Sequence, residues 1–411
     1  MKKMPELLAP AGNMDALRAA LHFGADAVYA GMKRFGLRAF AGNLDADALR
    51  EAVSLCHAAG RRFYVTLNAL PFDEELAEFL DAARAALAAG VDAAIVSDLG
   101  AIAMLHRELP QLPVHVSTQA STVNTEAVRH YAAMGCQRVI LARELSLRQI
   151  AALRQHSPAE VELECFVHGA SCMAYSGRCL LSAVLTGRSG NRGSCAQPCR
   201  WQYAVMEQKR PGEYLPVAED ARGTYIFSAK DLCLMPLLPQ LCQAGVSSLK
   251  IEGRMKTEYY VAVVTAAYRR ALDALEEGEA CFRQQLPALM EELRCASHRD
   301  SDTGFLEGPP AEPGGAEGFH QSREYVARAL TAAGAGETCS FLLKNRFFAG
   351  ETLELLTPQG VRTFVAPGFV RCSTGELLTT LGIAGEQIDM ALPFAVAPGD
   401  LIRGPVRNHR Q

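Results

Sequence analysis

Four times in the first 250 residues an Ala- or Leu-rich segment runs into a glycine, and a short apolar run follows. Gly24 precedes Ala27-Val28-Tyr29-Ala30, and Gly90 precedes Ala93-Ala94-Ile95-Val96. Gly135 precedes Arg138-Val139-Ile140-Leu141, and Gly245 precedes Ser248-Leu249-Lys250-Ile251. Glycine just past a helix end takes the left-handed conformation at little cost. A short apolar run after it reads as a buried parallel strand. Glu6–Ala9, Arg62–Asn68, Val114–Ser117 and Val161–Phe166 are further strands, with Asp45–Ala59 and Asp73–Ala89 among the helices between them. Eight such units predict an α/β chain, with a closed (β/α)8 TIM-barrel-like domain rather than an open sheet. After the first strand, Ala9-Pro10-Ala11-Gly12-Asn13 is a turn and not a dinucleotide-binding Gly-x-Gly-x-x-Gly.

The barrel is expected over residues 1–295, including the helices Thr257–Gly278 and Arg283–Cys295. About 80 residues separate Phe166 from Ser248, so a Cys-rich insertion is placed at 167–247. It follows the C-terminal end of a strand, where barrel enzymes build their sites. The breaker-rich run Gly308-Pro309-Pro310-Ala311-Glu312-Pro313-Gly314-Gly315 marks 296–317 as a linker. Short strand-like runs with Gly/Pro turns then predict a small β-barrel-like domain over 318–411. With 41 basic against 45 acidic residues the net charge is −4, which excludes a globally basic nucleic-acid binder but not a local basic patch. No apolar run approaches the ~20 residues that span a bilayer. Met1-Lys2-Lys3-Met4-Pro5-Glu6 does not open a signal peptide, so a cytoplasmic protein with no membrane partner is expected.

Thirteen cysteines are an odd number, and in a reducing compartment they do not form a disulfide framework. Cys56, Cys136 and Cys242 lie in apolar surroundings and read as core. His168, Cys172, Cys179, Cys195 and Cys199 crowd one segment, and Cys233 lies beyond it. Gathered thiolates suit zinc or an iron–sulfur cluster. Only Cys195 and Cys199 have zinc-ribbon spacing, whereas a cluster needs four cysteines without a fixed knuckle. Metal binding and plain structural or redox thiols both stay open on spacing alone. The same stretch carries Arg178, Arg188, Arg192, Arg200, Lys209 and Arg210 against Glu207 alone, which reads as an anion-facing rim. Lys250-Ile251-Glu252-Gly253-Arg254-Met255-Lys256 follows the eighth strand. Alternation puts Lys250 and Glu252 on one side, and a lysine facing a barrel mouth needs a carboxylate, for which Glu252 and Glu164 are available. Asn68, His115, Gln119 and Arg143 lie at or beyond other strand ends.

Several long motifs together resemble the peptidase U32 family over roughly residues 4–310. They are Leu7-Leu8-Ala9-Pro10-Ala11-Gly12, Glu164 through Cys172, Gly177-Arg178-Cys179-Leu180-Leu181-Ser182 and Asn191 through Arg200. Ser228 through Cys233, Lys250 through Arg254, and Ser297-His298-Arg299-Asp300 with Thr303-Gly304-Phe305 extend them. The resemblance implies oxygen-independent hydroxylation of tRNA wobble uridine, a 23S rRNA cytidine or a ubiquinone precursor. The last two blocks are most similar to the tRNA 5-hydroxyuridine branch, which implies tRNA and prephenate as substrates and leaves room for a related U32 subunit. It also implies a 4Fe-4S cluster on Cys172, Cys179, Cys195 and Cys233, with Cys199 as the alternative fourth ligand. Lys250 and Arg254 would bind anions, with Glu252 beside them, and Glu164 or His168 would move protons. Arg178, Arg188, Arg192, Arg200 and Lys256 would face RNA. The family's name keeps a peptidase or collagenase-like reading in view, with His168 and Cys172 as a base–nucleophile pair. The sequence has no serine nucleophile elbow and no His-Glu-x-x-His.

Overall fold

The computed structural model describes residues 4–37, 41–172, 174–201, 218–220, 223–225, 230–308, 319–381 and 383–407. Eight strands form the barrel: β1 (Glu6–Ala11), β2 (Ala27–Gly31), β3 (Arg62–Leu67), β4 (Ala93–Val96), β5 (Val114–Val116), β6 (Arg138–Ile140), β7 (Glu162–Ala170) and β8 (Ser248–Ile251). Neighbours in this order pair in parallel. β8 pairs in parallel with both β7 and β1, which closes the barrel. Helices α1 (Met14–His22), α2 (Ala46–Ala58), α3 (Leu76–Ala88), α4 (Leu99–Glu108), α5 (Thr125–Ala133) and α6 (Leu147–His156) alternate with the strands. The short α7 (Leu181–Thr186) and α8 (Leu238–Gln243) follow β7, and α9 (Glu258–Glu277) and α10 (Glu279–Leu293) follow β8. Asn13, Asp45, Asp98, Asn124, Ser146 and Thr257 each accept a backbone N–H at a helix start, which fixes where the helices begin.

The barrel interior is charged. The Arg138 side chain, 1% exposed, donates to Glu6 at 2.6 Å and to Glu164 at 2.9 Å, and also pairs with Glu162. The Tyr64 hydroxyl and the Ser248 hydroxyl donate to Glu6 at 2.9 and 3.0 Å, and Arg62 pairs with the same carboxylate. Lys250 donates to Glu164 at 3.0 Å. Glu6, Arg62, Arg138, Glu162 and Ser248 each open their strand, so this network fills the N-terminal half of the barrel. Burial opposes ionisation of Glu6, but Arg138 and Arg62 hold its carboxyl below the usual range.

The C-terminal part is an eight-stranded antiparallel sheet. Its strands run in the spatial order Gly360–Val365, Thr352–Thr357, Leu401–Pro405, Arg323–Ala329, Thr338–Leu343, Gln387–Ala391, Phe369–Arg371, Leu377–Leu378. Among the described residues its first and last strands are not paired to each other. Phe341, Phe347, Leu353 and Phe369 centre its own core. It docks on the barrel through polar pairs: Arg403 with Glu292 at 2.9 Å, Arg328 with Glu258 at 3.0 Å, and Lys344 with Glu258 at 2.8 Å. The Tyr259 and Tyr325 rings stack at 5.4 Å, and Leu356 and Leu401 join the barrel core. Residues 296–308, expected to be linker, instead belong to the barrel body. Ser301–Asp302 pairs with the strand Asp231–Cys233, and Leu306 is part of the barrel core. Gly and Pro further along drew the boundary too early; most of that run, 309–315, lies outside the described residues.

Replacing Arg138 with Met leaves buried carboxylates without their cation. Urea unfolding of Arg138→Met is expected to show a loss of about 3–5 kcal/mol. The pair's pH dependence also has a definite sign. Because the folded pKa of Glu6 lies below its ordinary value of 4.5, the stability it contributes is present above that pH and is lost as pH falls below it. Acid melting curves of the wild type should fall in this window, and those of Arg138→Met should not show the same Glu6-linked loss.

Candidate functional site

The C-terminal ends of the strands converge on a mouth roofed by the Cys-rich segment. Three loops hold the roof. After β3, Leu70 O accepts from Arg192 at 2.7 Å. After β5, Ser121 donates to the Ser176 carbonyl, and Arg178 Nε donates to the Ser121 hydroxyl at 3.3 Å. After β6, Glu144 accepts from the Ser176 backbone N–H at 2.8 Å.

Arg254 reaches into this mouth from the loop after β8 and is 4% exposed. Its Nη1 donates to the Thr66 hydroxyl at 2.9 Å. Its seat depends on two glycines. A Cβ on Gly31 would lie 2.2 Å from Arg254 Nη1, and a Cβ on Gly12 would lie 2.0 Å from the Arg254 carbonyl oxygen. Any larger residue at either position displaces the arginine or its backbone. Arg143, after β6, places its guanidinium 4.0 Å from the Phe166 ring centroid and donates to Ala170 O at 2.8 Å. Below them Lys250 is enclosed. Its ammonium lies 4.3 Å from the Tyr29 ring and 5.5 Å from the Phe166 ring, against Glu164, whose side chain is 0% exposed. Burial pulls the Lys250 pKa down, and the Glu164 carboxylate opposes that pull. Glu164, of the two carboxylates available to Lys250, is the one that pairs with it; both sit within the barrel wall and not at an open rim. Glu252 is half-buried at the end of β8, where its backbone N–H donates to His168 O at 2.9 Å.

His168 does not face the mouth. Lys250 is registered with Phe166 but Ile251 with His168, so β7 bulges at Val167. The extra residue reverses the alternation, turning His168 away from the face shared by Glu164 and Phe166 and towards α9. There its Nδ1 lies 3.4 Å from the Tyr268 hydroxyl, which donates to Val167 O at 2.8 Å. The Tyr260 and Tyr268 rings lie 6.2 and 5.5 Å away. Burial drives the His168 pKa down to about 4, with Asp231 opposing. It is a neutral, enclosed imidazole at neutral pH.

Cys172 is exposed, Cys179, Cys195 and Cys199 are half-buried, and Cys233 is buried. Cys233 stands opposite His168 in the antiparallel pairing of β7 with Asp231–Cys233. Burial pushes its thiol pKa up. Among the described residues, no three His, Cys, Asp or Glu side chains converge as a metal site. The cysteines as placed do not converge as an assembled four-thiolate centre.

Of the basic residues, Arg178 and Arg188 are exposed on the roof. Arg192 is neutralised: it forks onto Glu75 at 2.7 and 2.9 Å and lies 4.0 Å from the Phe72 ring centroid. Hydrogen bonding from Arg192 holds the Glu75 carboxyl well below its usual range. The Arg200 side chain, Lys209 and Arg210 lie outside the described residues. Lys256 donates to Ser297 O at 3.0 Å beside Tyr260. The sequence alone assigns no role to Arg138, Asp231 or Arg299. The signal for Arg138 was there, since a charge opening an apolar barrel strand must find a buried partner.

Residues 12–314 match the profile of peptidase family U32. The tRNA hydroxylation protein P of Escherichia coli (strain K12) is 37% identical over 398 residues, covering 87% of each chain. The tRNA hydroxylation protein P1 of Bacillus subtilis (strain 168) is 37% identical over 360 residues, covering 87% of this chain and 84% of that protein. A Methanocaldococcus jannaschii protein named as an uncharacterised protease is 39% identical over 308 residues, 74% of each. Among the described residues no helix is long and apolar enough to cross a membrane.

The His168 environment predicts its titration. Ring 1H–15N NMR should give a midpoint near 4. A midpoint above 6 would contradict the enclosed neutral ring. The folded pKa lies below the ordinary value of 6.5, so the unfolded chain takes up the proton first. Melting temperatures should therefore be insensitive to this group above pH 6.5 and fall between 6.5 and 4, with the fall reduced in His168→Gln.

Proposed function

Because the chain belongs to peptidase family U32, we propose that it is an oxygen-independent RNA hydroxylase that forms 5-hydroxyuridine at the tRNA wobble position. Prephenate is the proposed oxygen donor and a 4Fe-4S cluster the proposed cofactor. The observation that carries the reading is the match, over 87% of both chains, to a relative named for tRNA hydroxylation. The mouth is compatible with it. Arg254 and Arg143 bring two guanidinium groups to the mouth of the barrel in a chain whose net charge is −4. A guanidinium matches carboxylate and phosphate with paired N–H donors. Arg254 would hold a donor carboxylate, while Arg178 and Arg188 on the roof face the RNA. Lys250 and Glu164 neutralise each other beneath the site and keep its floor fixed. The cluster would draw on Cys172, Cys179 and Cys195 with Cys233 or Cys199, and its assembly requires the thiols to move together.

The name of the archaeal relative favours a second reading, a peptidase. The geometry supports it less. His168 packs on Tyr260 and Tyr268, and among the described residues no hydrogen bond joins it to Cys172. A base turned away from its nucleophile cannot activate it.

Nucleoside mass spectrometry of tRNA from a deletion strain should show loss of 5-hydroxyuridine-derived wobble nucleosides, restored by the wild-type gene. Arg254→Ala should lower hydroxylation by roughly 10²-fold or more, while iron content and the absorbance near 400 nm after anaerobic purification stay at wild-type levels. Cys172→Ala should lose both. Gly31→Ala should behave like Arg254→Ala, because its new Cβ would lie 2.2 Å from Arg254 Nη1 and 2.7 Å from Asn43 Oδ1, side-chain atoms and not backbone. Unchanged tRNA nucleosides, together with Cys172-dependent cleavage of collagen-derived peptides by cluster-free protein, would replace the hydroxylase with the peptidase.

A further inference from the structure

The Ser297-His298-Arg299-Asp300 block has no role in the barrel mouth. Arg299 is 6% exposed and forks onto Asp231, with Nε and Nη2 at 3.0 and 2.6 Å from Oδ1. Its backbone N–H takes the other carboxylate oxygen at 3.1 Å. The pair leaves Nη1 unused. Arg299 Nη1 is buried and has no hydrogen-bond partner among the described residues. A buried cationic N–H without an acceptor is costly and is kept only where something compensates it.

The surroundings indicate what that acceptor is. The Lys256 ammonium lies 4.6 Å from the Phe319 ring centroid, and the Arg299 guanidinium lies 6.0 Å from the same ring. His298 and His320 stand next to each other, rings 6.2 Å apart, and their backbones pair. Asp231 pairs with Arg299 at 2.6 Å. Phe319 is 57% exposed, and the apolar side chains Met255 and Phe305 are exposed at 48% and 38% on neighbouring segments. Cations beside exposed aromatic faces are the recognition elements of single-stranded nucleic acid: phosphate on the cation, base on the ring.

We propose that Arg299 and Lys256 form a phosphate-binding subsite for single-stranded RNA, with Phe319 stacking on an adjacent base. The subsite lies beside the mouth, on the sheet extension where Asp231 is registered with Ala170, and there it would anchor substrate. The inference rests on the RNA reading above and adds a location to it.

The test is tRNA binding by the full chain, measured without turnover across a salt series, for wild type, Lys256→Gln and Phe319→Ala. Glutamine can still donate to Ser297 O, so the first variant should keep the fold, and far-UV circular dichroism checks this. Lys256→Gln is expected to weaken tRNA binding about 3–10-fold at low salt and to make the slope of log K against log[salt] less negative by roughly 0.7–0.9, the loss of one phosphate contact. Phe319→Ala is expected to weaken binding about 5-fold or more with the slope unchanged, since stacking carries no counterion release. Equal affinity and slope in all three proteins would overturn the subsite while leaving the hydroxylase reading standing. A raised KM for prephenate with unchanged tRNA binding would assign the cations to a carboxylate and overturn the RNA version. A wild-type protein that does not bind tRNA would overturn the RNA reading itself.

Discussion

The Arg138 guanidinium lies inside the barrel among three carboxylates, and closure of the sheet depends on that arrangement. Isolated charges in such an interior would be driven to neutralise. Here Glu6, Glu162 and Glu164 face Arg138, Arg62 and Lys250, so the cluster balances. The contacts tie β6 to β1 and β7, β3 to β1, and β8 to β7, which includes strands on either side of the closing seam. A buried ionic cluster is a poor source of net stability compared with packed hydrocarbon, but it tolerates only one register, because each charge must meet its partner. The same network settles the state of Lys250 by giving it Glu164 as a fixed counter-ion.

A single extra residue divides β7 into two working parts. Up to Phe166 the strand belongs to the barrel wall and supplies Glu164 to the interior. Past the bulge at Val167 it leaves the barrel pattern, turns His168 onto α9, and pairs with Asp231–Cys233, which in turn pairs with Ser301–Asp302. The extension carries the Asp231–Arg299 pair and Cys233 on one small sheet beside the mouth. Bulges at barrel rims re-aim side chains in this way.

Charge on the C-terminal face is sorted by pairing and not by count. Arg192 lies in the basic stretch but is silenced by Glu75. Arg254 sits in a cradle that two glycines leave open, held by a neutral hydroxyl. Arg143 is held by a carbonyl and an aromatic face. A chain with net charge −4 can thereby present cations where an anionic substrate would enter.

The eight barrel units were legible in the sequence because glycine-terminated helices and short apolar strands are written in a few adjacent residues, and so were the clustered cysteines and the motifs that carry the family. The strands at Phe369–Arg371, Gln387–Ala391 and Leu401–Pro405 were not, since short antiparallel strands take their identity from partners far along the chain. The same holds for the site. Arg138 meets Glu6 across 132 residues, Arg254 meets Thr66 across 188, and Arg192 meets Glu75 across 117. No local pattern encodes which partner each cation meets. The sequence by itself determined the barrel and the residue types brought to its mouth. Only the tertiary structure decided which way His168 faces, that Lys250 is enclosed against Glu164, and that Arg299 Nη1 meets no acceptor among the described residues, because burial and pairing at these positions depend on strands that meet only when the barrel closes.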